Sequence, residues 1–393
     1  MSTKLSGSLK ILLTGGRAPV TLELARVFRR AGYNVYIAES LSNHLCRFST
    51  KVKRNFSVPQ PNRDSEGYRD ALIKIMNSED IDWLVPTCEE IFQIARWKGE
   101  IEANCRGKVY CTDFNTLNSL HNKYTFIRQL ETYGLKAPET FLIYSKAELI
   151  ECQRQLKAPS VIKPVFSRFG TQVRYLPIKP KQLPEIDISM KKPWVLQQRI
   201  FGVQFCTYSI LRQGKLTAHT TYRMGTNLKG GASISFEAVN HPTIVDFVLH
   251  FSKAARFSGQ IAFDIIQDPS GTLYPIECNP RATSGVHLLA DQPFFTEAFF
   301  GIPDSLVLPH PGAKGMLFFP MLYSGVKSLS DLRALKQWFT NFKSSRDVIW
   351  DQSDPIPFFH QLTIPLSLWL ISRRNKISLV EASTSDIEWN GES

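Results

Sequence analysis

Several features are missing from this 393-residue chain, and each absence narrows what it can be. No uninterrupted apolar run approaches the ~18 residues that a membrane-spanning helix needs, so no transmembrane segment is expected. Met1–Lys10 is polar and Ile11–Leu13 is far too short for the apolar stretch of a secretory signal. The seven cysteines are odd in number and scattered, without a C-x-x-C pair. That argues against a disulfide framework and a zinc spacing, and it favours reduced thiols in the cytoplasm. The eight histidines form no H-E-x-x-H pattern. Like charges are not gathered into blocks, although the net charge is +12. An anionic partner is implied, and a nucleoside triphosphate accounts for the excess as well as nucleic acid does. With 43% hydrophobic and 21% charged residues, the chain is an ordinary folded protein, long enough for two or three domains.

The N-terminal third reads as α/β. Lys10–Thr14 is a short apolar strand, and Gly15-Gly16-Arg17-Ala18-Pro19 is a turn. A helix follows over Val20–Ala31, and Tyr33–Glu39 is a second strand. This β-α-β unit predicts a parallel, doubly wound sheet. The pattern continues with a helix at Arg69–Met76, a strand at Trp83–Val85, a helix opened by Pro86–Glu90 and a strand at Val109–Thr112. The glycine turn can hold an anion at the helix start, but its spacing is not G-x-G-x-x-G. Thr87, Glu89 and Glu90 read equally well as helix-capping residues and as contacts at the strand ends.

The most informative stretch is Gly259–His287. Ile261–Ile266 is a β-branched and aromatic strand, Asp268-Pro269-Ser270-Gly271 a turn, and Thr272–Cys278 the return strand. Alternation puts Glu277 and Asn279 on one face. A register that sets Asp264 opposite Pro275 or Glu277 adds a third oxygen donor to that face, and a slip by one residue removes it. Such a set suits Mg²⁺, with Mn²⁺ as an alternative, usually completed by substrate phosphates. Arg281 stands just beyond. Phe263, Ile265, Ile276 and Cys278 mark the hairpin as buried, where an unpaired carboxylate is costly. Upstream, Ser160–Pro164 is an apolar strand with Lys163 near its end, and a buried ammonium there needs an anion. The segment Asn118–Tyr133 has a helical pattern carrying Lys123, and Asn240–Phe257 is a helix with an apolar stripe.

The spacing D-x12-E-x-N-x-R after an apolar strand resembles the metal hairpin of the ATP-grasp superfamily. That superfamily includes biotin carboxylase, carbamoyl phosphate synthetase (large subunit) and D-alanine–D-alanine ligase. The resemblance covers about Leu117 to Leu289. It implies a doubly wound pre-ATP-grasp domain over residues 1–115. An ATP-grasp domain would follow over 116–305, α+β in character and two-lobed, with a lid at about 125–200. Residues 306–393 are then a C-terminal extension of unassigned role. It further implies ATP contacts at Lys123, Lys163 and Arg168, the last in a loop with fewer glycines than is usual. The stretch 194–205 resembles the adenine hinge, with Gln197, the backbone of Gln198 and Ile200, and Gln204 at the ribose position. Asp264, Glu277 and Asn279 would hold the metal. Arg281, Lys229 and Arg223 would act on the transferred phosphoryl group. Thr283, Ser284 and Gly285 would line the acceptor site, and Arg17, Thr87, Glu89 and Glu90 become candidate substrate contacts.

The implied activity is that of a cytoplasmic carboxylate–amine ligase acting through an acyl phosphate, with small-molecule carboxylate and amine substrates. A homodimer is compatible, and no nucleic-acid partner is expected. The chain has no biotin-accepting module and no glutamine amidotransferase domain. The alternatives are a bicarbonate-using carboxylase or carbamoyl phosphate synthetase-like enzyme, and a non-catalytic nucleotide- or nucleic-acid-binding protein. In the extension, Ser328–Phe342 reads as an amphipathic helix. The apolar Phe358–Ile371 reads as a hairpin packed on the other domains or on a second subunit, with a membrane-surface segment as its rival. The acidic end, Asp386–Glu392, is expected to be mobile.

Overall fold

The computed structural model describes residues 8–167, 172–180, 182–225, 234–328 and 332–391. Among them, three sheets organise the chain. The first is parallel, in the order β3-β2-β1-β4-β5, formed by Lys10–Thr14 (β1), Asn34–Glu39 (β2), Arg54–Ser57 (β3), Trp83–Val85 (β4) and Lys108–Val109 (β5). Ile11, Leu12 and Leu13 are all buried, as strands covered on both faces require. The helix Pro19–Arg30 starts on proline and ends on Arg29 and Arg30, which suits both its first turn and its dipole. The next helix is longer than its apolar pattern alone predicts, Ser65–Glu79, because Asp64 caps it by accepting from the Gly67 amide. Pro86–Glu90 is a fixed turn and the helix itself is Ile91–Arg96. Glu90 holds that turn by accepting from the amides of Thr87 (3.2 Å) and Cys88 (3.1 Å).

The second sheet is antiparallel, in the order β6-β9-β7-β8, formed by Thr140–Ile143 (β6), Ser160–Pro164 (β7), Arg174–Leu176 (β8) and Trp194–Gln198 (β9). The third runs β14-β13-β10-β11-β12-β15-β16. Its strands are Val203–Arg212 (β10), Lys215–Met224 (β11), Ser235–Val239 (β12), Gly259–Gln267 (β13), Leu273–Asn279 (β14), Lys314–Met316 (β15) and Arg346–Asp347 (β16). The last two come from the C-terminal extension, which therefore adds to the central sheet. The helix Pro242–Ala255 packs its stripe on β13, with Phe251 and Phe247 edge-on to Phe263 at 4.9 and 5.3 Å.

Two expectations are corrected here. The helical pattern over Asn118–Tyr133 is broken into Phe114–His121 and Lys123–Thr132. Asn122 is extended at the junction, and its side chain caps the second helix by accepting from Tyr124 and Thr125. The acidic end is not a loose tail. Asp386, Ile387 and Trp389 are buried, and Trp389 stacks on Phe92 at 5.7 Å and meets Phe114 edge-on at 5.5 Å. The apolar stretch before it forms two helices, Ile356–His360 and Ile364–Asn375. One side of the second touches the N-terminal domain, where Asn43 Nδ2 donates to Ser367 Oγ at 3.1 Å. Leu366, Trp369 and Leu370 on its other side are exposed. The extension is pinned through Asp354, fully buried, which accepts from Arg26 Nε (3.0 Å), Ser49 Oγ (2.7 Å) and the Thr50 amide (2.8 Å). No helix among the described residues is long and apolar enough to cross a membrane.

Candidate functional site

The site is built outward from the β13–β14 hairpin. Asp268 closes its turn by accepting from the amides of Ser270 and Thr272, both at 2.9 Å, while Gly271 takes φ +89°. The register sets Asp264 opposite Glu277 and Ala262 opposite Asn279. It then shifts, so that Ile265 faces Pro275 and Ile276 is the extra residue of a bulge. A proline is tolerated there because a bulge interrupts the ladder. The bulge carbonyl has a purpose: Lys163 Nζ, from β7 of the second sheet, donates to Ile276 O at 3.0 Å. That bond ties the two sheets together over the carboxylates.

Electrostatics follow from this crowding. Burial pushes the Asp264 carboxyl up, and the Glu277 charge opposite adds to it, bringing it to about 6. Cys206 Sγ donates to Asp264 Oδ1 at 3.0 Å. Burial brings the Lys163 ammonium down to about 8 against the pull of Glu277, with Lys123 pushing the same way as burial. Lys123 is buried at the start of its helix, its Nζ 3.2 Å from Ser167 O and 3.8 Å from Glu277 Oε2. Arg281 Nη2 lies 3.2 Å from Asn279 Oδ1 and 3.5 Å from Glu89 Oε1.

A cleft of about 570 Å³ opens between the hairpin and the antiparallel sheet; Lys123, Cys206 and Glu89 are not part of its lining. Lys163, Gln197, Gln198, Ile200, Gln204, Asp264, Glu277, Asn279 and Arg281 all line it. The connection β9–β10 forms one wall. The Gln198 amide donates to Glu139 O (2.8 Å) and the Arg199 amide to Pro159 O (2.9 Å), while Gln197 Nε2 donates to Thr140 Oγ1 (3.1 Å). Gly202 lies so close to β13 that a Cβ would fall 2.0 Å from Gln267 O, so only glycine fits. A slightly larger groove of about 620 Å³ runs beside Tyr124, Arg128 and Glu131. It carries a surface Arg128–Glu131 pair at 3.0 Å and none of the metal or phosphoryl candidates.

Other sequence candidates lie elsewhere. Arg223 is exposed, with its guanidinium over the Phe205 ring at 5.1 Å, and is not part of the cleft lining. Arg168 and Lys229 lie outside the described residues. Arg17 is engaged by Glu39 (Nε to Oε2, 3.1 Å) and Asp386 (Nη1 to Oδ1, 2.6 Å). Thr87 donates to Thr14 O at 2.8 Å and Glu90 accepts from Thr14 Oγ1 at 2.6 Å, so both hold strand ends together. Glu89 accepts from the Trp389 amide at 3.1 Å, on the Arg281 side. Thr283 and Ser284 line a second, smaller pocket that shares Arg281 with the cleft. Gly285 packs under Tyr208, whose Cβ would be 2.4 Å from an added Cβ. Sequence reasoning missed the cleft mouth, where the Arg199 guanidinium sits between the rings of Tyr175 (4.5 Å) and Phe201 (4.6 Å). Nothing in the sequence links Tyr175 on β8 to Arg199.

No family model matches the chain, and no curated protein matches it by sequence. Solved structures do match. An L-amino acid ligase from Bacillus licheniformis is 20% identical over 72% of this chain and 70% of its own, with a TM-score of 0.56. A carboxyaminoimidazole ribonucleotide synthase from Aspergillus clavatus, complexed with ATP, is 14% identical over 82% of this chain and 87% of its own, with a TM-score of 0.63. The biotin carboxylase domain of Hydrogenobacter thermophilus 2-oxoglutarate carboxylase, in complex with MgADP and bicarbonate, is 12% identical over 72% and 66%, with a TM-score of 0.57. At such identities the likeness is one of fold. This chain has the ATP-grasp fold.

Proposed function

We propose that the protein is an ATP-dependent carboxylate–amine ligase. The observation that carries this reading is the convergence of Lys163, Asp264, Glu277, Asn279 and Arg281 with the 197–204 connection around one cleft. The likeness to a ligase and to a synthase complexed with ATP supports it. Adenine would lie against the connection. The Gln198 and Arg199 amides are already engaged, so Ile200 N–H would donate to the base and the Gln198 carbonyl would accept from it. Gln204 would bond the ribose. Lys163 and Lys123 would neutralise phosphate oxygens, and Arg168 would add a further charge.

The donor set fits a magnesium ion. Burial raises Asp264 and the facing Glu277 charge adds to it, and a divalent cation would relieve that crowding of negative charge. Among the described residues no three His, Cys, Asp or Glu side chains cluster as a metal site. Two carboxylates and the Asn279 amide would leave the remaining positions to water and phosphate, as Mg²⁺ prefers. Bound there, the ion would supply charge neutralisation at the β- and γ-phosphates.

In the reaction, a carboxylate oxygen attacks the γ-phosphorus while the bond to the β-phosphate oxygen breaks and ADP leaves. Arg281 would hold the incoming carboxylate and the equatorial oxygens, and Lys229 would add to that charge. The amine nitrogen then attacks the acyl carbon, phosphate departs, and the ammonium proton passes to water. Positioning supplies much of the rate. All seven cysteines are free, which supports a place in the reducing cytoplasm. The test is a coupled ADP-release screen over amino acids and small carboxylates with and without amines. ADP release that needs both a carboxylate and an amine is expected. Release with bicarbonate alone would favour the carboxylase reading instead, and no release with any pair would reject both.

A further inference from the structure

Beside Arg281, which also lines the cleft, lies a second pocket, of about 330 Å³. That is room for about ten water-sized groups. Its lining includes no carboxylate among the described residues, and its guanidinium Arg17 is turned to partners behind the wall. Arg17 is held by Glu39 and by Asp386. The His44 ring nitrogen faces Gly16 O at 3.4 Å, and burial lowers its pKa, which favours the uncharged ring. Much of the remaining surface is apolar: Val20, Leu41 and Leu45 from the N-terminal domain, and Ile364, Leu368 and Ile387 from the C-terminal extension. Among the described residues, Arg281 alone lines both this pocket and the cleft. A carboxylate seated on Arg281 at the cleft would therefore turn its body toward Leu368 and Ile387. A charged body would find no counter-ion there: no carboxylate is among the described residues of the lining, and Arg17 is already held by Glu39 and Asp386.

We infer that the carboxylate substrate carries an uncharged, apolar body of branched aliphatic or aromatic type, buried in this pocket. The C-terminal extension selects it through Leu368 and Ile387. This deepens the ligase reading and rests on it for the seat at Arg281. The extension is thus a wall of the substrate site, held down by the Arg17–Asp386 pair and by the buried Trp389.

The test uses the full chain with Mg-ATP and hydroxylamine as the amine, which captures an acyl phosphate as a hydroxamate with release of phosphate. Leucine, phenylalanine and 4-methylpentanoate are compared with glycine, glutamate and succinate. The apolar set is expected to exceed the others in kcat/KM by at least about tenfold. Leu368→Glu is expected to raise KM for the apolar carboxylates at least about tenfold with KM for ATP unchanged. Leu366→Glu, on the exposed side of the same helix, is expected to change neither. Equal or better turnover of glutamate or succinate, or an unchanged KM in Leu368→Glu, overturns the inference and leaves the ligase standing. Calorimetry of the same carboxylates with a non-hydrolysable ATP analogue separates the two claims. Binding of the apolar set that Leu368→Glu abolishes, without any hydroxamate, supports the pocket and rejects the ligase chemistry. No binding and no hydroxamate from any apolar carboxylate overturns the inference.

Discussion

The cleft and the pocket that share Arg281 are assembled in opposite ways. The cleft takes most of its polar lining from two short stretches, 197–204 and 264–281. Within them, neighbours on one strand or directly paired strands supply the groups. The pocket gathers residues from 17–20, 41–45, 281–284, 364–368 and 383–387. The first depends on strand alternation and a single hairpin. The second exists only once the C-terminal extension has folded back over the N-terminal sheet. The charged groups of the cleft stand on paired strands, while the lining of the pocket stands on distant pieces joined by a few buried bonds, Arg17 to Asp386 and Arg26 to Asp354.

The comparison breaks most sharply at the hairpin. Asp264→Asn combined with Glu277→Gln is expected to lower ADP formation at least about 10³-fold with the far-ultraviolet circular dichroism unchanged. Turnover near the wild-type level would remove the metal assignment. Lys163→Met is next, with kcat/KM for ATP down about 10²-fold and carboxylate affinity by calorimetry unaltered. A parallel loss of carboxylate affinity would show that the cleft and the pocket are not separable.

On the other side, Trp389→Ala empties a ring site that is only 4% exposed. A loss of about 3–5 kcal/mol in denaturant unfolding is expected, together with a raised carboxylate KM and a steady ATP KM. The Arg17 anchor adds a pH dependence. Burial raises the Glu39 carboxyl, but the Arg17 charge and hydrogen bonds outweigh it and bring the group from 4.5 to about 2. Its contribution is therefore complete above the unfolded value and is lost as pH falls from 4.5 toward 2. The melting temperature should drop across that window, and Glu39→Gln should flatten that part of the profile. An equally steep drop in Glu39→Gln would place the acid sensitivity elsewhere. The smallest effect is expected from Leu366→Ser on the exposed side of the Ile364–Asn375 helix, within about 0.5 kcal/mol by thermal unfolding. A larger loss would mean that this side is covered in solution.

Much of the cleft was legible because its signals are short-range. Lys163 announces itself as an ammonium near the end of an apolar strand, and Glu277 and Asn279 share a face by alternation alone. The pairing of Asp264 was open between Pro275 and Glu277, and the bulge at Ile276 decides it. The run through Lys123 looked like one helix, since a capping asparagine inside a helical pattern carries little weight until its bonds to Tyr124 and Thr125 are seen. Arg223 fitted a phosphoryl role by its place in the order, but it stacks on Phe205. Arg17 stood in the right turn, yet the partner that takes its Nη1 lies 369 positions away.

Alternation, turn chemistry and residue type determined the parallel N-terminal sheet, the oxygen-bearing hairpin and the lysine above it, because each depends on the sterics of adjacent residues. The tertiary structure alone decided that the acidic end is buried, that Arg17 is neutralised, and that an apolar pocket lies beside Arg281. Those outcomes come from packing between segments hundreds of residues apart, whose mutual fit no local pattern encodes.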